Sequence, residues 1–418
     1  LDVLLFLFCL LDRTPLQRKN ELIILKKILN NLPENIAYAS HWLLMCDLSD
    51  KRARSRTKFR SRVWTMAEAL INSGQAASSR EAEDRAMAVE WVVAAAVFVG
   101  ASTALWGLSA WMTRRIEAAV PSNGRFLEVN GERFHYYEEG KGPPLVMIHG
   151  LMGSSRNLTY ALSGQLREHF RVITLDRPGS GYSTRHAGTA ADLPAQARQI
   201  AAFIKTLGLD RPVVLGHSLG GAISLALALD HPNAVSGLVL VAPLTHPQPT
   251  LPLVFWSLAV RPAWLRRWVS HTLTVPVGLL TRRAVVKGVF APDSAPEDFA
   301  TRGGGLLGMR PDNFYAASSE IALVNDYLPD MVKRYPQLTL PIGLIYGARD
   351  KVLDFRKHGQ ALADKVPGLK LQVVEGRGHM LPITATARVV EAVLQLAKRA
   401  RAPEKATVLH PPFALASK

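Results

Sequence analysis

Cysteine is almost missing from this chain of 418 residues: there are two, Cys9 and Cys46. Both lie near the N-terminus, away from the region that carries the chemistry below. That region therefore holds no disulfide and does not depend on an oxidising compartment. The sequence lacks Cys/His clusters at metal-ligand spacing, a Gly-rich phosphate loop and a dinucleotide fingerprint, so no metal and no cofactor is implied. It has no internal repeat. Acidic residues are absent over one long stretch: from His231 to Pro292 there is no Asp or Glu. An initiator methionine is absent too. Residue 1 is Leu, so a fragment or a non-standard start is expected, with Met66 and Met87 as the alternative starts.

What the chain has in excess is positive charge, with 50 Lys and Arg against 34 Asp and Glu and a net +16. Such an excess invites a nucleic-acid partner, but its distribution argues otherwise. One part is the run Lys51–Arg62. Another lies in the acid-free stretch, where Arg261, Arg266, Arg267, Arg282, Arg283 and Lys287 alternate with Phe255, Trp256, Trp264 and Trp268. Cations interleaved with Trp and Leu suit an anionic membrane surface better than a phosphate groove. No nucleic acid is expected. The plainer alternative is a basic soluble protein whose aromatics pack inward.

One long hydrophobic run stands out. Trp91 to Met112 contains no charged residue, and at ~1.5 Å per residue it spans about 30 Å of hydrocarbon. Trp91 and Trp111 stand where interfacial aromatics belong, and Arg114-Arg115 stop the run. Residues 87–113 are expected to be a single-pass transmembrane anchor. A cleaved signal peptide and a buried soluble helix are the alternatives. The side of the membrane stays open, because the basic run at 51–62 competes with Arg114-Arg115 for the inner face. Residues 1–86 read as a leader, disordered or a non-native extension. They include an apolar run, Val3 to Leu11, too short to span a bilayer, and a short helical pattern at Glu21–Leu29. Residues 402–418 read as a flexible tail.

The segment Pro212–Gly221, PVVLGHSLGG, carries the strongest chemical signal. It reads as an apolar strand, a Gly-x-Ser-x-Gly turn and a helix from about Ala222 to Leu229. A nucleophilic serine must stand clear at a strand end, on a turn too tight for ordinary side chains. Gly216 and Gly220 remove the side chains that would collide, and the following helix aims its free N–H groups at Ser218. The pattern alone is weak; between a β-branched strand and a helix it is specific.

A serine hydroxyl needs a general base, and the base needs an orienting carboxylate. In this setting the chain order is Ser, then acid, then His. Ile342–Tyr346 reads as a strand running into Gly347-Ala348-Arg349-Asp350. Leu371–Val374 reads as a strand running into a glycine-rich loop that carries His379. Both residues thus follow strands, as Ser218 does, and in a parallel sheet such loops converge on one edge. Asp354 is the rival acid, and Glu375 lies too close to His379 in sequence to reach it easily. His358, on a helix face, and His410, in the tail, compete poorly as bases. The oxyanion requires two backbone N–H donors. Leu219 follows the serine, and Leu151 lies in the loop after the strand Leu145–Ile148. His149 reads as a brace for that loop.

Taken together and in order, His149–Gly153, Asp176-Arg177-Pro178-Gly179-Ser180-Gly181-Tyr182-Ser183, Gly216–Gly221, Asp350 in Gly-Ala-Arg-Asp and His379 in Gly-Arg-Gly-His resemble the α/β-hydrolase fold family over roughly residues 123–400. The likeness is to its lipase, esterase and carbon–carbon hydrolase branch. The epoxide hydrolase and haloalkane dehalogenase branches use Asp at the nucleophile position, and Ser218 argues against both. The resemblance implies an α/β fold with a mainly parallel sheet flanked by helices. Residues 123–243 and 338–401 would form its core, and 244–337 a helical cap over the active site. Asp176–Gly179 reads as a structural turn. The expected activity is serine hydrolysis of a carboxylic ester or lipid with a hydrophobic acyl group. A carbon–carbon hydrolase or an acyltransferase could use the same three residues. A non-catalytic membrane-anchored binding protein is the alternative of another class.

Overall fold

The computed structural model describes residues 79–186 and 188–401. The expectations for Val3–Leu11, Glu21–Leu29, the basic run 51–62, Cys9, Cys46, Met66, His410 and the tail 402–418 fall outside the described residues. The chain divides into two units, Leu1–Gly107 and Leu108–Lys418.

Helix α1 (Ser79–Ala119) opens the described chain. It begins before the apolar run and ends after it. Residues 79–86 were expected to be part of an irregular leader and are helical instead. Their Ala, Glu and Arg content favours helix without any apolar face. Its stretch Asp84–Ala119 is the one helix among the described residues that is long and apolar enough to cross a membrane. In the first unit, Trp91, Val92, Phe98 and Trp106 all turn more than half of their surface outward, which suits lipid rather than water.

The second unit is built on one sheet. β1 (Arg125–Val129) and β2 (Glu132–Glu139) form a hairpin. Its turn residues Asn130 and Gly131 take φ of 51° and 81°, the left-handed pair that a two-residue hairpin turn requires. The chain continues through β3 (Pro144–Ile148), β4 (Arg171–Leu175), α2 (Leu193–Thr206), β5 (Val213–His217), α3 (Leu219–Asp230) and β6 (Gly237–Val241). Then come α4 (Ala263–Thr272), α5 (Thr274–Phe290), α6 (Pro311–Arg334), β7 (Ile342–Gly347), β8 (Leu371–Val374) and α7 (Thr386–Arg401). The strand order is β1-β2-β4-β3-β5-β6-β7-β8. All pairs from β4 to β8 are parallel, and only β2, antiparallel to both of its neighbours, runs against the other strands.

Both faces of the inner strands β3 to β7 are covered, so these are nearly continuous apolar runs, whereas β1, β2 and β8 carry exposed or charged positions. Leu145, Met147, Leu215 and Val239 point toward α7 and the helical stretch around Leu158–Leu166. Their neighbours Val146, Ile148, Val214 and Leu240 point toward α2 and α3. That two-residue alternation divides the core into two layers. Between β6 and β7 the chain leaves the sheet to form α4, α5 and the first half of α6. The second half of α6 returns to the main core through Val324, Leu328 and Met331. The last cap helix is therefore shared between roof and body.

Candidate active site

Ser218 is the single residue between the end of β5 and the start of α3. Its φ of 55° and ψ of −120° strain any residue with a Cβ, at a cost of about 1–3 kcal/mol. Four backbone hydrogen bonds hold it there, the longest from the Ala222 amide to its carbonyl at 3.4 Å. Its N–H donates to the Val241 carbonyl at 3.0 Å, and its own carbonyl accepts from Gly221 at 2.9 Å and Leu244 at 3.0 Å. A side chain at Gly216 would meet Ser224 and the Gly220 carbonyl, and one at Gly220 would meet the Ile148 and His149 carbonyls. The helix begins at Leu219, nearer the serine than the expected Ala222. Neither Leu219 nor Leu151 donates its amide in any backbone bond of the described turns and loops.

Asp350 and His379 meet. The His379 Nδ1 lies 2.7 Å from Asp350 Oδ2, with both side chains buried. The other Asp350 oxygen accepts from the amides of Val352 at 2.8 Å and Leu353 at 2.9 Å. One carboxylate thus closes its own turn and orients the imidazole. The rival Asp354 instead accepts from the amides of Arg356 and Lys357. Glu375 points outward. His358 is buried and accepts through Nδ1 from the amides of Thr245 and His246. Burial lowers its pKa to about 4.

The His379 loop is clamped from two sides. The His217 ring donates through Nε2 to the His379 carbonyl at 3.1 Å, and the two rings lie tilted by 44° with centroids 4.9 Å apart. Burial, reinforced by the charge of a protonated His379, brings the His217 pKa down to about 3, so it acts as a neutral brace beside the serine. From the cap, Asp293 accepts from the Gly378 amide at 2.8 Å and pairs with Arg377 at 2.8 Å. Asp293 is the first acid after the acid-free stretch, a signal that could have singled it out.

The loop that carries Leu151 is held as firmly. His149 accepts at Nε2 from the Arg177 amide at 3.0 Å and donates from Nδ1 to the Gly150 carbonyl at 2.8 Å. Burial, with Arg177 beside it, drives its pKa to about 3; it is a brace and not a base. The same Gly150 oxygen accepts from the Gly153 amide at 3.3 Å and from the Arg177 guanidinium at 3.2 Å. Arg177, fully buried, also donates to both carboxylate oxygens of Glu320 on α6, at 2.7 and 3.1 Å, and to Gln196 at 2.8 Å. Burial alone would raise the Asp176 carboxyl. The His135 imidazole, the nearby His149 and the Ser155 amide outweigh it and hold the group below its usual range. The turn Asp176–Gly179 is thus structural in its acid, while its arginine ties the cap to the Leu151 loop. That link was missed. Its one trace in the sequence is Glu320, a lone acid in the stretch Ala316–Val324.

Ser218 keeps 8% of its surface exposed and His379 3%, and the segment between β6 and β7 reaches the histidine loop through Ala291 and Asp293 against Gly378. The roof is apolar: Leu151 and Met152 pack with Leu258, Phe314 and Ala317. No group of His, Cys, Asp and Glu able to hold a metal occurs among the described residues. The structure thus sets a serine on a strained strand–helix joint and an imidazole backed by a carboxylate on the same edge of the sheet; no hydrogen bond between Ser218 and His379 is formed among the described residues.

Comparison with known proteins agrees with this architecture. Residues 143–386 match the sequence model of the family described as alpha/beta hydrolase fold. Haloalkane dehalogenase 2 of Mycobacterium tuberculosis is 29% identical over 283 residues, 66% of this chain and 95% of that protein. An alpha/beta hydrolase fold protein from Burkholderia ambifaria superposes with a TM-score of 0.55 at 25% identity, covering 65% of this chain and all of its own. A thermophilic esterase from Thermogutta terrifontis does so at 0.55 and 21%, covering 66% of this chain and 99% of its own; that likeness is one of fold.

Proposed function

The chain belongs to the alpha/beta hydrolase fold family, and from that premise we propose that it is a membrane-anchored serine hydrolase cleaving carboxylic esters with a hydrophobic acyl group. The observation that carries the reading is Ser218, held at positive φ on the strand–helix joint, with the His379–Asp350 pair on the same edge of the sheet. In the proposed cycle His379 takes the Ser218 proton as the oxygen attacks the ester carbonyl. Asp350 fixes the imidazole tautomer and stabilises the imidazolium. The amides of Leu151 and Leu219 hold the oxyanion. The alcohol leaves with the proton from His379, and a water activated by His379 then cleaves the acyl-enzyme. The apolar roof around Leu258 and Phe314 supports a hydrophobic acyl group. The length and composition of Asp84–Ala119 support the anchor.

The dehalogenase relative raises halide displacement as a contrast. A carboxylate that displaces halide leaves an ester, which water can cleave. A serine would leave an ether with no carbonyl to attack. Ser218 therefore favours acyl transfer.

The test is hydrolysis of p-nitrophenyl esters of rising acyl length by the full chain in nanodiscs, beside Ser218→Ala. Turnover that peaks at a long acyl chain and vanishes in the variant supports the proposal. No ester turnover, with cleavage of a vinylogous diketone instead, replaces it by a carbon–carbon hydrolase. Transfer of the acyl group to an added alcohol in preference to water replaces it by an acyltransferase.

A further inference from the structure

One face of the cap stands uncovered although its composition is that of a buried or lipid-facing surface. The segment Leu253–Leu258 turns Phe255 and Leu258 inward and leaves Leu253 80% and Trp256 69% exposed. On α4, Trp264 is 73% exposed, and on α5, Leu280 is 84% exposed. These elements adjoin: Val254 lies against Gly288 of α5, and α4 packs on α5. Large apolar side chains gathered in this way mark a contact surface.

The charge around them has one sign. Arg261, Arg267, Arg282, Arg283 and Lys287 are exposed, and among the described residues none of them pairs with a carboxylate. The absence of Asp and Glu from His231 to Pro292 leaves nothing on these elements to neutralise them.

The position of this face points to its partner. Within the second unit, α1 carries Trp111, Arg114 and Arg115, with Arg115 lying over the Trp111 ring at 5.1 Å. Trp and Arg at the end of an apolar helix sit at headgroup level. The next turns, through Ile116 and Val120, are buried against Val275 of α5, with Met112 and Leu279 packed beside them. Leu280, the residue after Leu279, faces outward from the same helix.

We infer that this face of the cap rests on an anionic phospholipid surface. Leu253, Trp256, Trp264 and Leu280 enter the acyl boundary while the five cations meet lipid phosphates. The inference rests on reading α1 as the anchor. A second copy of the chain is the other occupant, and it fits less well: a two-fold contact would set the same cations against one another.

The experiment uses the full chain with Cys9 and Cys46 replaced by Ser, carrying a single spin label at Leu253→Cys, Leu280→Cys, Val92→Cys or Val373→Cys. Each is placed in nanodiscs of phosphatidylglycerol and phosphatidylcholine, or of phosphatidylcholine alone. Collision with oxygen against collision with a water-soluble nickel chelate reads the surroundings of each label. The expected result is a ratio at 253 and 280 several-fold above that at 373 in anionic discs. It falls in neutral discs and in the Arg282→Glu/Arg283→Glu variant. Water-like readings at both cap positions, with a lipid-like reading at 92, overturn the docking and spare the anchor. Equal ratios in the two lipids remove the anionic partner and overturn it as stated. Broadening between labels on different copies assigns the face to self-association and overturns it too. A water-like reading at 92 sinks the anchor. The cap labels then decide the docking alone, lipid-like readings keeping it and water-like readings ending it.

Discussion

Around Ser218 the polar groups are largely matched: Asp350 accepts from His379 and from two amides, and Arg177 donates to both oxygens of Glu320 away from water, only its Nε being left without a partner. On the outer side of the cap, Trp256, Trp264 and Leu280 stand uncovered. The first region gains rigidity from polar groups that lose water only by finding one another. The second spends apolar side chains and charge on a surface that nothing within the described residues covers. The contrast teaches where each substitution should register: in turnover and folding for the first, at a surface for the second.

The largest effect should come from the matched region. Ser218→Ala is expected to lower kcat by at least about 10⁴-fold with an unchanged thermal midpoint, and His379→Ala to lower kcat as far while also lowering the midpoint, because the buried Asp350 loses its partner. Steady-state kinetics beside a melting curve checks both halves. Next comes the buried ion pair. Arg177→Met or Glu320→Gln alone leaves an unmatched group in the interior and should cost about 3–5 kcal/mol of stability. The double variant Arg177→Met/Glu320→Met should recover only part of that stability in denaturant melts, because the buried Arg185, 3.8 Å from Glu320, loses its carboxylate. Its kcat should stay depressed by up to about 10²-fold, the scale of a weakened oxyanion donor. Full recovery of kcat would reduce the pair to a packing element.

Acid should loosen the same region. The buried His149 imidazole titrates at about 3 instead of 6.5, so between those values the unfolded chain holds a proton that the folded chain lacks. Stability therefore falls as pH drops through that window, by about 1.4 kcal/mol per pH unit for this residue, and is flat above it. His217 adds to the same slope in the same direction. Melting midpoints against pH should show a shallower fall in His149→Gln than in the parent. Asp293→Asn should lower kcat about tenfold by loosening the His379 loop. The smallest effect belongs to the uncovered face. Trp264→Ser should leave kcat on a soluble ester within about twofold.

How far each region could be read in the sequence follows from the range of its interactions. The inner parallel strands were legible because covering both faces of a sheet forces unbroken apolar runs, and β3, β5 and β7 lie where those runs do. Asp350 and His379 were legible because each sits on a loop directly after its strand. The ties between cap and site were not. Arg177 and Glu320 stand 143 positions apart, and Gly378 and Asp293 stand 85 apart, so no local spacing announces either pair. The early start of α1 escaped notice for a different reason: its first turns are helical by propensity and carry no apolar pattern.

The crowded Gly150 carbonyl has a consequence for its neighbour. A trans peptide is a rigid plate whose C=O and N–H point in opposite directions. The plate that carries the Gly150 oxygen carries the Leu151 N–H on its other edge. Three donors, from His149, Gly153 and Arg177, grip that oxygen. Turning the plate over would break all three together, so the amide on the far edge is aimed before any substrate arrives. The cap acid Glu320, which touches neither atom, thereby helps to set the direction in which the Leu151 N–H points.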